Sequence, residues 1–212
     1  MIALDIFADP VCPWCLIAKA QLDHALESRP HHPFALTWHP FRLNPQIPPE
    51  GADRIAHLHA KLGDRTHEAS RQVAEQAAKL GLTLNPSPRE PNTTDAHRLL
   101  YWAGLEAVQT PVMAGLLRAH WLEARDIGDA ATLTQIAAAA GMDAAVTARL
   151  LASDADRDEV ASRELHARRR GISSVPTFVV ADSHVVTGAQ PASLWQSVID
   201  ELTGSASGTA DG

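Results

Sequence analysis

The sequence predicts an α/β fold in which a small mixed sheet carries helices on both faces and a large all-helical insertion. Three observations predict it. Apolar strand-like segments occur only near the two ends of the 212-residue chain. A long stretch rich in Ala, Leu, Glu and Arg, all good helix formers, lies between them. The order of elements is strand, helix, strand, helical block, hairpin, helix, which suits one layered domain with an insertion.

Residues 1–8 are short, apolar and rich in Ile, Leu and Phe, and read as a buried strand. Asp9-Pro10-Val11-Cys12-Pro13 breaks it. From Pro13 to about Glu27, Ile17, Leu22 and Leu26 recur at helical intervals. Phe34, Leu36 and Trp38 alternate with Ala35, Thr37 and His39, which predicts a second strand. Asn44-Pro45 and Pro48-Pro49 then stop regular structure. Within the helical block, Val73, Ala77 and Leu80 form one stripe, and Leu99, Leu100, Ala103 and Ala107 a second. Leu116, Leu117, His120, Trp121 and Ala124 form a third. Thr93-Thr94-Asp95 suits a helix N-cap, and Thr110-Pro111 opens another helix. The alanines at 137–140 end at Gly141, and residues 154–170 make a charged helix with one buried face. Strand character returns at Thr177-Phe178-Val179-Val180, and a short turn leads to Val185-Val186-Thr187, a hairpin. Residues 191–202 form a last helix through Leu194, Val198 and Leu202. The expected division is a sheet domain at 1–48 and 171–202, a helical insertion at 49–170, and a small, polar, disordered tail at 203–212.

Composition narrows the function. Hydrophobic residues make up 45% and charged residues 20%, ordinary for a soluble globular chain. The net charge of −7 weighs against a nucleic-acid partner, which a basic face would have to attract. No apolar run approaches the ~20 residues of a membrane span, and no basic segment followed by an apolar one precedes Cys12. A cytoplasmic protein with no membrane partner is expected. Two cysteines are too few for a disulfide scaffold, and in a reducing compartment a close pair points to reactivity or metal binding.

Cys12-Pro13-Trp14-Cys15 is the sharpest feature. With Cys12 at the cap and Pro13 at the first helical position, the Cys12 sulfur meets the unpaired N–H groups and positive dipole end of the helix. Both favour a thiolate, so Cys12 is expected to ionise more readily than a free thiol. Cys12 would be the exposed nucleophile and Cys15 the buried resolver. Half of a zinc site and two inert core cysteines remain as alternatives. A zinc site lacks a second cysteine pair, and His57 and His59 sit two apart on different helix faces. No metal is expected. Trp14, beside the sulfur, either packs or offers an apolar landing surface for substrate. Val175-Pro176 opens a strand, where a proline is tolerated. Its peptide could be trans, the commoner form locally, or cis. His39 is read as an ordinary histidine and Trp102 and Trp121 as core aromatics. Asn92-Thr93-Thr94 matches a glycosylation sequon that a cytoplasmic chain would not use.

Taken together, the CxxC at a strand-to-helix junction and a later Val-Pro before a hairpin and final helix resemble the thioredoxin fold. The helical insertion resembles the DsbA family, and in particular its FrnE-like branch, related to 2-hydroxychromene-2-carboxylate isomerase and kappa-class glutathione transferase. The stretches that carry the resemblance are Asp9-Pro10-Val11-Cys12-Pro13-Trp14-Cys15, Pro40-Phe41-Arg42-Leu43-Asn44-Pro45 and Asn92-Thr93-Thr94-Asp95-Ala96-His97-Arg98-Leu99. Further on they are residues 123–127, 171–178 and 188–191, so the match spans about residues 2–202. The resemblance implies a cis Val175–Pro176 junction lying against the CxxC motif. It also implies a thiol–disulfide oxidoreductase acting on protein disulfides, protein thiols or glutathione. Pro13, Trp14, Val175 and Pro176 would contact substrate, and glutathione would serve at most as a co-substrate. The branch's isomerases and transferases carry Ser where Cys12 stands and lack the second cysteine. Retention of both cysteines places this sequence on the dithiol side. A glutathione-dependent isomerase or transferase acting on a small aromatic molecule is the alternative, and a non-catalytic binding module using the cleft beside Trp14 is a third. Pro-Trp between the cysteines omits the histidine of the periplasmic oxidases, so a moderate redox potential is expected.

Overall fold

The computed structural model describes residues 1–207. Strand β1 (Ile2–Ala8) is followed by helix α1 (Pro13–Glu27) and strand β2 (Phe34–Pro40). β1 and β2 are parallel, with Ile6 opposite Trp38, as a β-α-β crossover requires. A two-residue strand β3 (Ala52–Asp53) leads into α2 (Arg54–Leu62), a 3-10 turn at Gly63–Arg65, and α3 (Thr66–Ala78). Strand β4 (Arg89–Glu90) pairs antiparallel with β3, a small ribbon that the composition of the insertion gave no reason to expect. Helices α4 (Thr94–Leu105), α5 (Gln109–Trp121), α6 (Ala130–Ala139), α7 (Ala144–Leu151) and α8 (Arg157–Arg169) complete the insertion. The chain then returns to the sheet through β5 (Thr177–Val180) and β6 (His184–Thr187) and ends in α9 (Ala192–Ser207).

The main sheet has the order β2-β1-β5-β6, with β5 antiparallel to both neighbours. Its faces are covered differently. Leu4, Ile6, Phe34, Trp38, Phe178 and Trp195 share one core with Leu99, Met113 and Leu116 of the insertion. The inserted helices therefore bury their apolar stripes against the sheet domain and α1 rather than around a separate core. On the opposite face Phe7, Phe41, Ile172 and Val179 close over Ala167 of α8. Arg42 and Arg168 bind the buried Glu164 carboxylate at 2.7 and 2.8 Å, which fixes α8 against the segment after β2. No helix among the described residues is long and apolar enough to cross a membrane.

Helix starts follow local chemistry. Asp53, Asp129 and Asp143 each cap a helix by accepting a backbone N–H, from Ala56, Thr132 and Val146 respectively. Thr93 occupies the expected cap of α4, but its side chain makes no cap bond; Asn92 Oδ1 accepts the Thr94 N–H instead, at 3.0 Å. At the other end, α9 runs five residues past the boundary expected from its Leu stripe. The Thr203 hydroxyl donates to the Ile199 and Asp200 carbonyls, so a residue assigned to the tail continues the helix. Residues 208–212 of the expected tail lie outside the described residues.

Candidate active site at the start of α1

The site forms where β1 ends. The antiparallel register sets Phe7 of β1 opposite Thr177, the first residue of β5. Residues just before Thr177 must then lie beside residues just after Ala8. These are Val175-Pro176 on one side and the loop leading to Cys12 on the other. The Val175–Pro176 peptide is cis. Cys12 is the N-cap of α1, in extended conformation, and Pro13 stands at the first helical position, where its missing N–H removes nothing.

The two sulfurs lie 3.5 Å apart and unbridged. Cys12 Sγ donates to the Val175 carbonyl at 3.6 Å and makes no side-chain cap bond with α1. The expectation of an exposed Cys12 is overturned. Only 3% of Cys12 is accessible, because the Val175 segment and the first turn of α1 close around it. Trp14 is the exposed member of the motif, at 37%. Cys15 is buried, as the sequence led one to expect. Burial pushes the Cys15 thiol well above its ordinary value, and the adjacent Cys12 sulfur adds to the rise. Pro13 and Val175 are half-buried beside the sulfurs, whereas Pro176 is buried at the head of β5.

Behind the sulfurs lies a group of buried polar residues to which the sequence reading gave no role. Asp9 is fully buried, and its Oδ2 accepts the Leu43 N–H at 2.7 Å. His97 Nε2 lies 3.5 Å from Asp9 Oδ1. Arg54 stacks over the Trp121 ring at 4.8 Å, and Trp121 Nε1 donates to the Pro10 carbonyl, bracing the loop that carries Cys12. Glu90 accepts from Asn44, whose own Oδ1 accepts from Lys61. Burial pushes the Glu90 carboxyl up to about 7, with nearby Arg54 opposing the rise. Burial pushes His120 down to about 3, and Arg54 adds to the fall. Several of these residues, Asp9, Asn44 and His97 among them, stood inside the stretches that carried the family resemblance. Their burial was invisible in sequence, because each is contributed by a different element.

His39 does not face the sulfurs. Its Nε2 meets Asp5 Oδ1 at 2.7 Å and its ring stacks on Phe7. Trp102 is a core aromatic whose Nε1 donates to Asp156. A cavity of about 450 Å³ lies away from the sulfurs, between the outer edge of β2 and α4, with His97 among its lining residues.

The fold and the motif define a thioredoxin-fold protein with a dithiol site. Residues 3–200 match the model of the DSBA-like thioredoxin domain, so the chain belongs to the DsbA-like family. Solved structures agree. A probable DsbA oxidoreductase from Streptomyces coelicolor is 28% identical, with a TM-score of 0.85 over 96% of this chain and 91% of that one. The cytosolic disulfide reductase DsbM from Pseudomonas aeruginosa shares the fold at 18% identity and a TM-score of 0.67, over 95% of this chain and 98% of that one. A 2-hydroxychromene-2-carboxylate isomerase shares it at 15% identity and 0.75, over 99% of this chain and 100% of that one. No curated protein sequence matches the chain significantly.

Proposed function

We propose that the protein is a thiol–disulfide oxidoreductase whose working couple is Cys12 and Cys15. The observation that carries this reading is the pair of sulfurs 3.5 Å apart at the start of α1, with Cys12 held against the Val175 carbonyl. In it, the Cys12 thiolate attacks one sulfur of a substrate disulfide R–S–S–R′ and expels R–S⁻. Cys15 then attacks Cys12 Sγ in the mixed disulfide, forms the Cys12–Cys15 disulfide and expels R′–S⁻. Two electrons pass from the dithiol to the substrate, and the reverse sequence oxidises a substrate dithiol. An extended substrate segment would pair with the Val175 backbone, with Pro13, Trp14 and Pro176 shaping the approach. Substrates would be protein disulfides or thiols, with glutathione as a co-substrate in a cytoplasmic setting. The related DsbM structure with GSH supports that choice of small thiol. A glutathione-dependent isomerase would need no resolver, and the buried position of Cys15 beneath Cys12 favours the dithiol reading.

The test is equilibration in glutathione buffers of graded GSH:GSSG ratio, followed by acid quench and thiol counting. The expected result is one two-electron transition in which both thiols disappear together. Cys15→Ser should instead accumulate a Cys12–glutathione mixed disulfide. If both thiols persist across the series, or disappear independently, the dithiol mechanism is wrong.

A further inference from the structure

The cavity of about 450 Å³ beside β2 takes no part in the thiol chemistry above, and its volume lies in the range of small-molecule sites. One wall is the edge of β2, the outermost strand of the main sheet. Residues of α4, the first turn of α5 and α8 supply the others. The chain carries 25 Asp and Glu residues against 18 Lys and Arg. None of the acidic residues lines this cavity, and Arg163 does.

An open strand edge ordinarily invites another strand. Here the ladder is interrupted at two points. The Gln109 side-chain amide accepts from the Trp38 N–H at 2.8 Å and donates to the Trp38 carbonyl at 2.9 Å, as a neighbouring peptide would. The Phe34 N–H is taken by His32 Nδ1 at 3.3 Å. Leu36 lies between them, and the two-residue alternation of a strand turns its N–H to the same side as that of Trp38. One open N–H is too little to hold an added strand and enough to help orient a small ligand.

Arg163 supplies the charge. Its guanidinium lies 4.8 Å from the centre of the Tyr101 ring, which places it at the cavity wall. Only Nε is engaged, by Glu159 Oε1 at 2.6 Å, in an exposed pair one helical turn apart. Such a pair is weak. The two terminal nitrogens make no hydrogen bond or ion pair among the described residues, and those nitrogens form a fork that fits a carboxylate or sulfonate. The apolar part of the lining includes Leu36, Leu100, Pro111 and Leu105, the last of them 73% exposed on its own.

We propose that this cavity is a second binding site, separate from the dithiol, for a small organic acid with an apolar body. The Arg163 terminal nitrogens hold its single carboxylate or sulfonate, and its body covers Leu36, Leu100 and Leu105. The site needs no thiol, so it stands or falls independently of the reading of Cys12 and Cys15.

The test is a titration followed by amide NMR, with 1-naphthoate as a rigid acid, decanoate as a flexible one, and 1-naphthylmethanol and decanol as their uncharged counterparts. At least one acid should shift the amide signals of Leu36, Thr37, Gly104 and Arg163 saturably, and the better acid shows whether a flat or an extended body fits. Its alcohol should bind about tenfold more weakly, the size of one hydrogen-bonded charge. Arg163→Gln should weaken the acid about tenfold and leave the alcohol unchanged, a selective loss that altered packing would not give. The doubly substituted Cys12→Ser, Cys15→Ser protein should bind the acid as wild type does. Three results would each overturn the proposal: no saturable shift with either acid, shifts confined to residues 12–15 and 175, or equal affinity of wild type and Arg163→Gln for the acid.

Discussion

The Cys12 thiol donates to the backbone carbonyl of Val175, a contact between residues 163 positions apart in the chain. The helical insertion lies inside that loop, yet the contact is set by the sheet, because β1 and β5 bring both residues to one end of adjacent strands. The insertion can therefore vary in what it presents behind the sulfurs without disturbing the pairing that holds them.

The reactivity of the two cysteines should differ by environment more than by exposure, since both are buried. Cys15 is held as a thiol by burial and by Cys12, and each pH unit of upward displacement cuts its thiolate fraction about tenfold. Brief treatment with iodoacetamide at neutral pH should label Cys12 at least about tenfold faster than Cys15, as peptide mass mapping would show. Cys15 labelled first would contradict the assignment of nucleophile and resolver.

Most of the frame was legible in the sequence for a physical reason. β1, β2 and the β5–β6 hairpin carry the apolar alternation of buried or half-buried strands, and Pro13 marks the first turn of α1. The motif itself was legible because its chemistry is local. What the sequence did not reveal depends on distant contacts. The burial of Cys12 comes from the Val175 segment. The β3–β4 ribbon joins two-residue strands too short to leave a periodic signal. The extension of α9 rests on side-chain hydrogen bonds of Thr203, a residue whose polarity alone suggests a tail. Asp9 and His97 come from β1's end and from α4, and neither element announces the other.

Glu90 and His120 should leave opposing marks on the pH dependence of stability. Glu90 titrates at about 7 in the fold against an ordinary 4.5, so its contribution is complete below 4.5 and is lost as pH rises through 7. His120 titrates at about 3 against 6.5, so its contribution is present above 6.5 and is lost as pH falls toward 3. Between 4.5 and 6.5 the two slopes oppose each other. Glu90→Gln keeps the oxygen that accepts from Asn44 and removes the first slope. From pH 4.5 to 7.5 the variant should gain stability relative to wild type, by on the order of 3 kcal/mol at most. Urea titrations at a series of pH values would show it. A difference that stays constant with pH would mean that Glu90 is not held protonated by its surroundings.

Gly115 of α5 faces α6 closely enough that a methyl group has no room. A Cβ added there would stand 2.8 Å from Cγ2 of Ile136. Alanine gains about 1 kcal/mol of helix propensity over glycine, but overpacking of this kind costs about 1–3 kcal/mol. Gly115→Ala should therefore be neutral to destabilising by up to about 2 kcal/mol. Ile136→Ala should cost less in the Gly115→Ala background than in wild type, because the cavity it opens accepts the new methyl. Additive effects in the double-mutant cycle would show that the two helices separate freely at this crossing.

Arg98 holds the end of α7 to the start of α8. Its guanidinium is fully buried and donates to the carbonyls of Leu150, Ser153 and Ala155 and to the Asp95 carboxylate, with lengths of 2.6–2.8 Å. Those carbonyls belong to the last turn of α7 and the turn that follows; that of Leu150 also accepts the Ser153 N–H and hydroxyl. One planar group thus ties three carbonyls together, and its flat face lies over the Trp102 ring at 4.9 Å. Arg98→Met fills much of the volume but takes a charged donor from all three carbonyls and from Asp95, and should destabilise the protein by about 3–5 kcal/mol. Arg98→Lys keeps the charge but lacks the fork needed to reach all of these acceptors, so it should recover less than half of that loss. Thermal denaturation would measure both variants, and amide exchange would place the damage at residues 150–157. A lysine variant as stable as wild type would show that charge, rather than the planar array of donors, secures this junction.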